Sequence, residues 1–308
     1  MIEFRGVGYT YRSLVGRRVR AVDDVTLDIG EGEIVGLAGP NGAGKSTLIA
    51  MMLGYLEPTQ GTVRIEGLPP RRYIERHGIG YLSELVNIPP KWKLEVALRR
   101  YGLLAGVRSA TLTQRIQQEI DRLGLAEHRG KTVKQLSKGN LQRLGLAQAL
   151  LREERVLILD EPTHGLDPVW TQRFRDLVES LRHPERAIFI ASHNLDELQR
   201  LCDRVAIIDH GTLQRVVSIR ATATPEGAAP WRITVVRGAE LVPAIFPGAQ
   251  LAEGEWTTAP LDLETLNAGL TGLLAQGALV SGVAPAHSSL EQQFREAVGV
   301  RDAGGRGT

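Results

Sequence analysis

Residues 22–29 (VDDVTLDI) alternate apolar and polar side chains, the period-two pattern of a strand buried on one face. The turn EGE follows, and IVGLAG then reads as a fully buried strand running into glycines. STLIAMMLGYL has the length and apolar character of a buried helix. GTVRIEG and GIGYLSE read as short strands. From residue 91 to 135 the pattern changes. KWKLEVALRRYGLLAG and SATLTQRIQQEIDRLGL carry apolar residues at helical spacing, and Leu112, Ile116, Ile120 and Leu123 fall on one face. Strand patterns return in VLILD (156–160), AIFIAS (187–192) and RVAIID (204–209), with helices at about 140–152, 168–182 and 195–202. Apolar strands alternating with helices predict an α/β fold with a mostly parallel, helix-covered sheet, interrupted by a helical insertion.

Beyond residue 215 the character shifts again. Residues 216–230 are rich in Ala, Thr and Pro and read as a linker. WRITVV and ALVSGV are strand-like; LETLNAGLTGLL and SSLEQQFREAV are helix-like. In the last of these Leu290, Phe294 and Val298 recur at i, i+4 and i+8, with Ser288 or Ser289 as N-cap. Residues 231–298 are thus expected to form a small accessory domain, and 299–308 a disordered tail. The 308-residue length also exceeds what one core usually serves. Charge marks the same step: residues 1–215 carry a net +5 and residues 216–308 a net −3, and every lysine lies at or before Lys138.

Composition narrows the classes. With 43% hydrophobic and 23% charged residues, the chain is neither disordered nor collagen-like. No apolar run reaches the roughly eighteen residues of a membrane span. The N-terminus, MIEFRGVGYTYRS, lacks the apolar region of a signal peptide. The single cysteine, Cys202, excludes internal disulfides and cysteine-based zinc sites, and it reads as a buried core residue. The cytoplasm is the expected compartment. Basic residues are not interleaved with aromatics, so no nucleic-acid partner is expected.

Three segments carry chemistry. GPNGAGKST (39–47) satisfies G-x-x-x-x-G-K-[ST] through Gly39, Gly44, Lys45 and Ser46, between a predicted strand and a predicted helix. Glycines allow backbone N–H groups to curl around phosphate oxygens at a helix N-terminus. Gly39, Pro40, Asn41, Gly42, Ala43, Gly44, Lys45, Ser46 and Thr47 therefore form a candidate phosphate cradle. Lys45 supplies a point charge and Ser46 a hydroxyl for Mg²⁺. VLILDEP places Asp160 and Glu161 at the end of an apolar strand, where one carboxylate can hold a Mg²⁺ shell and the next can activate water. LSKGN (136–140) puts Ser137 and Gly139 at the start of an amphipathic helix, a second anion site that makes sense if a partner chain supplies the other half.

In this order of motifs (GPNGAGKST, GYLSE, LSKGN, VLILDEP, THGLDP, ASHNLDE) the sequence resembles the ATP-binding cassette, or ABC, family over about residues 1–215. The resemblance implies a P-loop NTPase cassette with an antiparallel β subdomain and a helical subdomain at about 85–135. It implies ATP and Mg²⁺ as ligands, and two cassettes, identical or not, stacked head to tail around two nucleotides. Ser137, Gly139 and Asn140 match the signature segment that faces the partner's γ-phosphate. Glu161 matches the general base, Asp160 and Ser46 the Mg²⁺ positions, His193 the switch histidine, and Asp167 the inter-subunit loop. Tyr11 falls where an aromatic stacks on adenine, although the basic stretch at 14–20 loosens the alignment and Tyr9 stays a candidate. Lys138 and Asn140 replace the usual Gly and Gln, and Glu84 replaces a Gln that touches Mg²⁺.

Such variants, together with SSLEQQF, resemble the bacterial ABC-2 exporter branch, whose permease is a separate membrane protein. The implied protein is an ATPase peripheral to the inner face of the cell membrane, its helical segment 85–135, especially Leu85 to Trp92, meeting a coupling helix of that permease. A cassette acting on nucleic acid or the ribosome is the alternative. It lacks support in a second cassette or a long coiled-coil insertion.

Overall fold

The computed structural model describes residues 1–12, 18–219, 228, 230–252, 254–285 and 290–299. They divide into two units, Met1–Val217 with the segment from Phe294, and Ser218–Gln293. Residues 14–17, most of the stretch read as a linker (220–227 and 229), Ser288, Ser289 and the tail from Val300 lie outside the described residues.

The first unit opens with β1 (Ile2–Arg12) and β2 (Arg18–Ile29). The next elements are β3 (Ile34–Ala38), α1 (Lys45–Met52), β4 (Gln60–Ile65), α2 (Pro70–His77) and β5 (Gly80–Leu82). Strand β1 lies antiparallel between β2 and β4. Ile2, Phe4, Val25, Leu27, Val63 and Ile65 from these strands are buried in one core. The sequence pattern did not announce β1. Its pairing with β2 shifts register between Phe4 and Val7 and again between Val7 and Tyr9, and such bulges break the period-two alternation.

The helical stretch follows as α3 (Leu94–Leu104) and α4 (Ser109–Arg122). Leu112, Ile116, Ile120 and Leu123 are all buried, as their spacing predicted. Next come α5 (Lys138–Leu150), β6 (Val156–Asp160), α6 (Pro168–Ser180), β7 (Ala187–Ser192), α7 (Leu195–Leu201), β8 (Arg204–Asp209) and β9 (Thr212–Ser218).

These complete a six-stranded sheet in the order β5-β6-β7-β3-β8-β9. Every pair from β5 to β8 is parallel. All residues of β3, β6 and β7 are buried, as expected for strands covered on both faces. A two-residue turn at His210 and Gly211 returns the chain antiparallel along β9. Strand β9 reaches Ser218, so residues 216–218 are strand rather than linker.

The second unit contains β10 (Trp231–Arg237), α8 (Val242–Ile245), β11 (Gln250–Ala252), β12 (Glu255–Thr257), α9 (Leu263–Ala275) and β13 (Leu279–Pro285). Its antiparallel sheet runs β11-β12-β10-β13. Trp231, Ile233, Phe246, Leu266 and Leu273 form its own core. The final helix, α10 (Leu290–Val298), is crossed by the division between the units.

Candidate functional site

Strands β6, β7 and β3 are neighbours in the sheet, and they end at Asp160, Ser192 and Ala38. In an open parallel sheet, ligands sit in the crevice beyond these carboxyl ends. A cavity of about 620 Å³ opens there. Asn41, Gly42, Gly44, Lys45, Ser46 and Thr47 line it from the glycine loop and α1. Asp160, Glu161 and His193 line it from the ends of β6 and β7, Glu84 from beyond β5, and Tyr11 from β1.

The loop is shaped to present N–H groups. Gly44 is the N-cap of α1 with φ of 109°, and a Cβ there would lie 2.7 Å from the carbonyl oxygen of Ala21, so only glycine fits. No side chain caps the helix and no acid occupies its first turn, which leaves the N-terminal amides to bind an anion. Gly39, Pro40 and Ala43 do not line the cavity; they build the loop. Lys45 Nζ donates to the carbonyl oxygens of Gly39 at 2.6 Å and Pro40 at 3.2 Å, and Ala43 N donates to Pro40 O. Burial pushes the Lys45 ammonium below its ordinary pKa, while Glu161, Asp160 and Glu84 push it back up.

The carboxylates answer that charge. Asp160 is buried, and burial raises its pKa to about 6, helped by Glu84 and Glu161 and opposed by Lys45. Glu161 adopts φ of 48°, a left-handed conformation that costs a non-glycine residue of order 1 kcal/mol. It is held there at both ends. Its own N–H donates to Ala191 O, and Gln142 Nε2 on α5 donates to the carbonyl oxygens of Glu161 and Pro162, both at 3.1 Å. Ser192 Oγ donates to Oε2 at 3.1 Å, and the His193 backbone N–H donates to Oε1 at 2.9 Å. His193 Nδ1 lies 2.9 Å from the same oxygen, on a side chain that is 65% exposed. A carboxylate fixed this way can accept a proton from a water in the cavity.

Three acids facing one lysine leave the cavity short of positive charge. Asp160, Glu84 and the Ser46 hydroxyl are hard oxygen donors, which suit Mg²⁺. Among the described residues no cluster of three or more His, Cys, Asp or Glu forms a metal cage by itself. That also fits Mg²⁺, which takes one or two protein oxygens and completes its shell with phosphates and water.

Of the two tyrosines, Tyr11 faces the cavity. It is 44% exposed, with its hydroxyl 3.4 Å from Thr47 Oγ1. Tyr9 packs against the core and meets the Tyr11 ring edge-on, with centroids 4.8 Å apart.

Ser137, Gly139, Asn140 and Asp167 do not line this cavity in the same chain. Ser137 caps α5, its Oγ accepting from Asn140 N at 3.2 Å. Asp167 caps α6, accepting from Trp170 N at 2.9 Å. The Asn140 amide turns inward, contacting His128 Nε2 at 2.9 Å and accepting from Arg143. Three contributors were not singled out from the sequence: Gln142, Ser192 and His164, although the last two lie within ASHNLDE and THGLDP. The sequence assigned His164 no role, yet it lines the cavity although exposed. Cys202 is buried, as read, and burial raises its thiol pKa far above the ordinary value.

The ABC transporter family pattern matches residues 22–164. Over 206 residues the chain is 38% identical to an uncharacterised ABC transporter ATP-binding protein of Nostoc sp., a match covering 65% of this chain and 60% of that one. It is 34% identical over 197 residues to the ABC transporter ATP-binding protein NatA of Bacillus subtilis, covering 63% of this chain and 80% of NatA. The chain belongs to the ABC transporter ATP-binding protein family.

Another relative of this cassette is the Nod factor export ATP-binding protein I of Cupriavidus metallidurans, 34% identical over 65% of this chain and 66% of that protein. The cassette fold is also that of MJ0796, an ATP-binding cassette solved as a dimer bound to ADP and Pi. The two align with a TM-score of 0.66 at 23% identity over 71% of this chain and 99% of that one. The match spans only about 60% of the length of the Nostoc relative.

Proposed function

We propose that this chain is the ATP-binding and ATP-hydrolysing subunit of a transporter, driving a separate membrane permease. The observation that carries the reading is the convergence of Lys45, Ser46, Asp160, Glu161 and His193 on one cavity at the carboxyl edge of the sheet. The amides of the 39–47 loop cradle the phosphates, Lys45 neutralises the outer ones, and the Tyr11 ring offers its face to adenine. Ser46 and Asp160, with Glu84 beside them, hold Mg²⁺, which supplies charge neutralisation at the phosphates when bound. Glu161, fixed by Ser192 and the His193 amide, takes the proton of the attacking water, and His193 stands beside it to sense the γ-phosphate.

Ser137, exposed at the N-cap of α5, and Gly139 in its first turn complete the nucleotide site of a second cassette. Asn140 orders that turn from within, and Asp167 lies at the same interface. The dimer of the MJ0796 cassette supports a paired arrangement. No helix among the described residues is long and apolar enough to cross a membrane, which supports a peripheral subunit working with a permease. The name of the Nod factor export relative and the resemblance to the ABC-2 branch support export, from the inner face of the membrane.

The variant Glu161→Gln tests the reading. ATP binding is expected to persist while turnover falls by about 10²–10⁴-fold. An ATP-bound dimer should then accumulate on size-exclusion chromatography. Hydrolysis near the wild-type rate overturns the assignment of the base. Purification of the chain from membranes with a multi-span protein tests the transport role.

A further inference from the structure

Lys138 stands in the signature turn at a position where the ABC family usually has glycine, so its side chain is an addition to the common pattern. It has a defined place. The Cγ, Cδ and Cε carbons run across the face of Gly165, 2.9–3.1 Å from where a Cβ on that glycine would sit. Beyond them, Nζ reaches His164 Nε2 at 2.7 Å. An ammonium has only donors, so Nε2 is the acceptor and the His164 ring carries its proton on Nδ1.

His164 is itself tied to the catalytic end of β6. Its N–H donates to Glu161 O at 3.1 Å, and it lines the cavity alongside Lys45, Asp160 and His193. One turn further along α5, Gln142 holds the carbonyl oxygens of Glu161 and Pro162. The first two turns of α5 therefore grip one short loop, residues 161–165, and Lys138 makes the outer of the two grips.

We propose that the Lys138–His164 hydrogen bond couples the two nucleotide sites of the paired cassettes. Lys138 acts as a positioning residue that moves Ser137 and Gly139 with the loop following Glu161. The inference rests on the two-cassette reading. In that arrangement, the cavity of one chain holds its own nucleotide, while its Ser137–Gly139 turn serves the partner's. A shift of loop 161–165 when the cavity fills is then passed through His164 and Lys138 to the turn that completes the other site. The coupling is reciprocal by linkage, so filling the second site feeds back to the first along the same contacts.

The test is the ATP dependence of hydrolysis by the full chain, with Lys138→Met, His164→Ala, the double variant and Lys138→Arg. Methionine keeps an unbranched chain over Gly165 and removes the ammonium. Wild-type hydrolysis is expected to be cooperative. Each single variant should weaken coupling by about fivefold or more, read as a Hill coefficient falling toward one. The double variant should be no worse than either single one, because one bond is lost in all three. Lys138→Arg should restore cooperativity, and Lys138→Met should leave the ATP affinity of the isolated chain unchanged in a calorimeter. Non-cooperative wild-type hydrolysis, full cooperativity in Lys138→Met, or additive effects in the double variant overturn the inference. If Glu161→Gln forms no ATP-bound dimer, the two-cassette reading falls and takes this inference with it. If the dimer forms and Lys138→Met stays cooperative, the inference alone fails.

Discussion

Ser192 and Gly44 show how differently single residues support the same cavity. Ser192 contributes one hydroxyl, and its job is to hold Glu161 Oε2. Ser192→Ala is expected to remove about 1 kcal/mol of orientation and slow hydrolysis by about fivefold, with ATP affinity nearly unchanged in calorimetry. Gly44 contributes no side chain, and the loop depends on that. Gly44→Ala must displace the Ala21 carbonyl or abandon φ of 109°, a strain of about 1–3 kcal/mol. If that strain falls on the nucleotide-binding form, it should cost about 5- to 150-fold in ATP affinity.

The sequence made Gly44 legible and Ser192 not, for a physical reason. The loop residues are contiguous, so spacing alone states their geometry. His164 meets Glu161 locally, three residues along the same loop, but Ser192 and Gln142 reach it through the order of strands in the sheet and the packing of α5. A linear pattern does not encode those neighbours.

Among the elements, α4 was read correctly from its apolar stripe, but the stripe hid a charge. Glu119 lies on the same buried face, only 4% exposed. Arg122 is 3.8 Å away, and Glu119 Oε2 has no hydrogen-bond partner among the described residues. Burial raises its pKa from 4.5 to about 7, with Arg122 and Arg115 opposing. The folded chain therefore holds a proton that the unfolded chain releases between pH 4.5 and 7. Stability should fall as pH rises through that window and level off above it, by up to about 3 kcal/mol. Glu119→Gln should remove the loss, so urea denaturation at pH 5 and pH 8 should differ less in the variant than in the wild type. Strand β1 and helix α2 escaped the pattern for the opposite reason. Bulges scramble the alternation of β1, and Tyr73 is the one fully buried side chain of α2, too little to mark a stripe.

At the scale of the molecule, each unit carries its own apolar core. Phe246 sits in the core of the second unit and Gly269 packs against its ring. Phe246→Ala should destabilise that unit by about 3–5 kcal/mol and split thermal unfolding into two transitions. ATP affinity should not change, because the cavity residues all belong to the first unit. The units divide at Val217, two residues beyond the charge step, and β9 extends to Ser218 in its pairing with β8.

The burial of Cys202 has a practical consequence for watching these parts move. A closed thiol with a strongly raised pKa presents no thiolate to electrophiles, so Ellman's reagent should titrate no thiol in the native chain and one after denaturation. The folded protein is thus a blank background for thiol-specific labels. A cysteine placed at exposed Val169, beside Asp167, or at exposed Leu279 in the second unit would be the one reactive handle. Spin or fluorescent probes could then report nucleotide-driven motion without any native residue being sacrificed first.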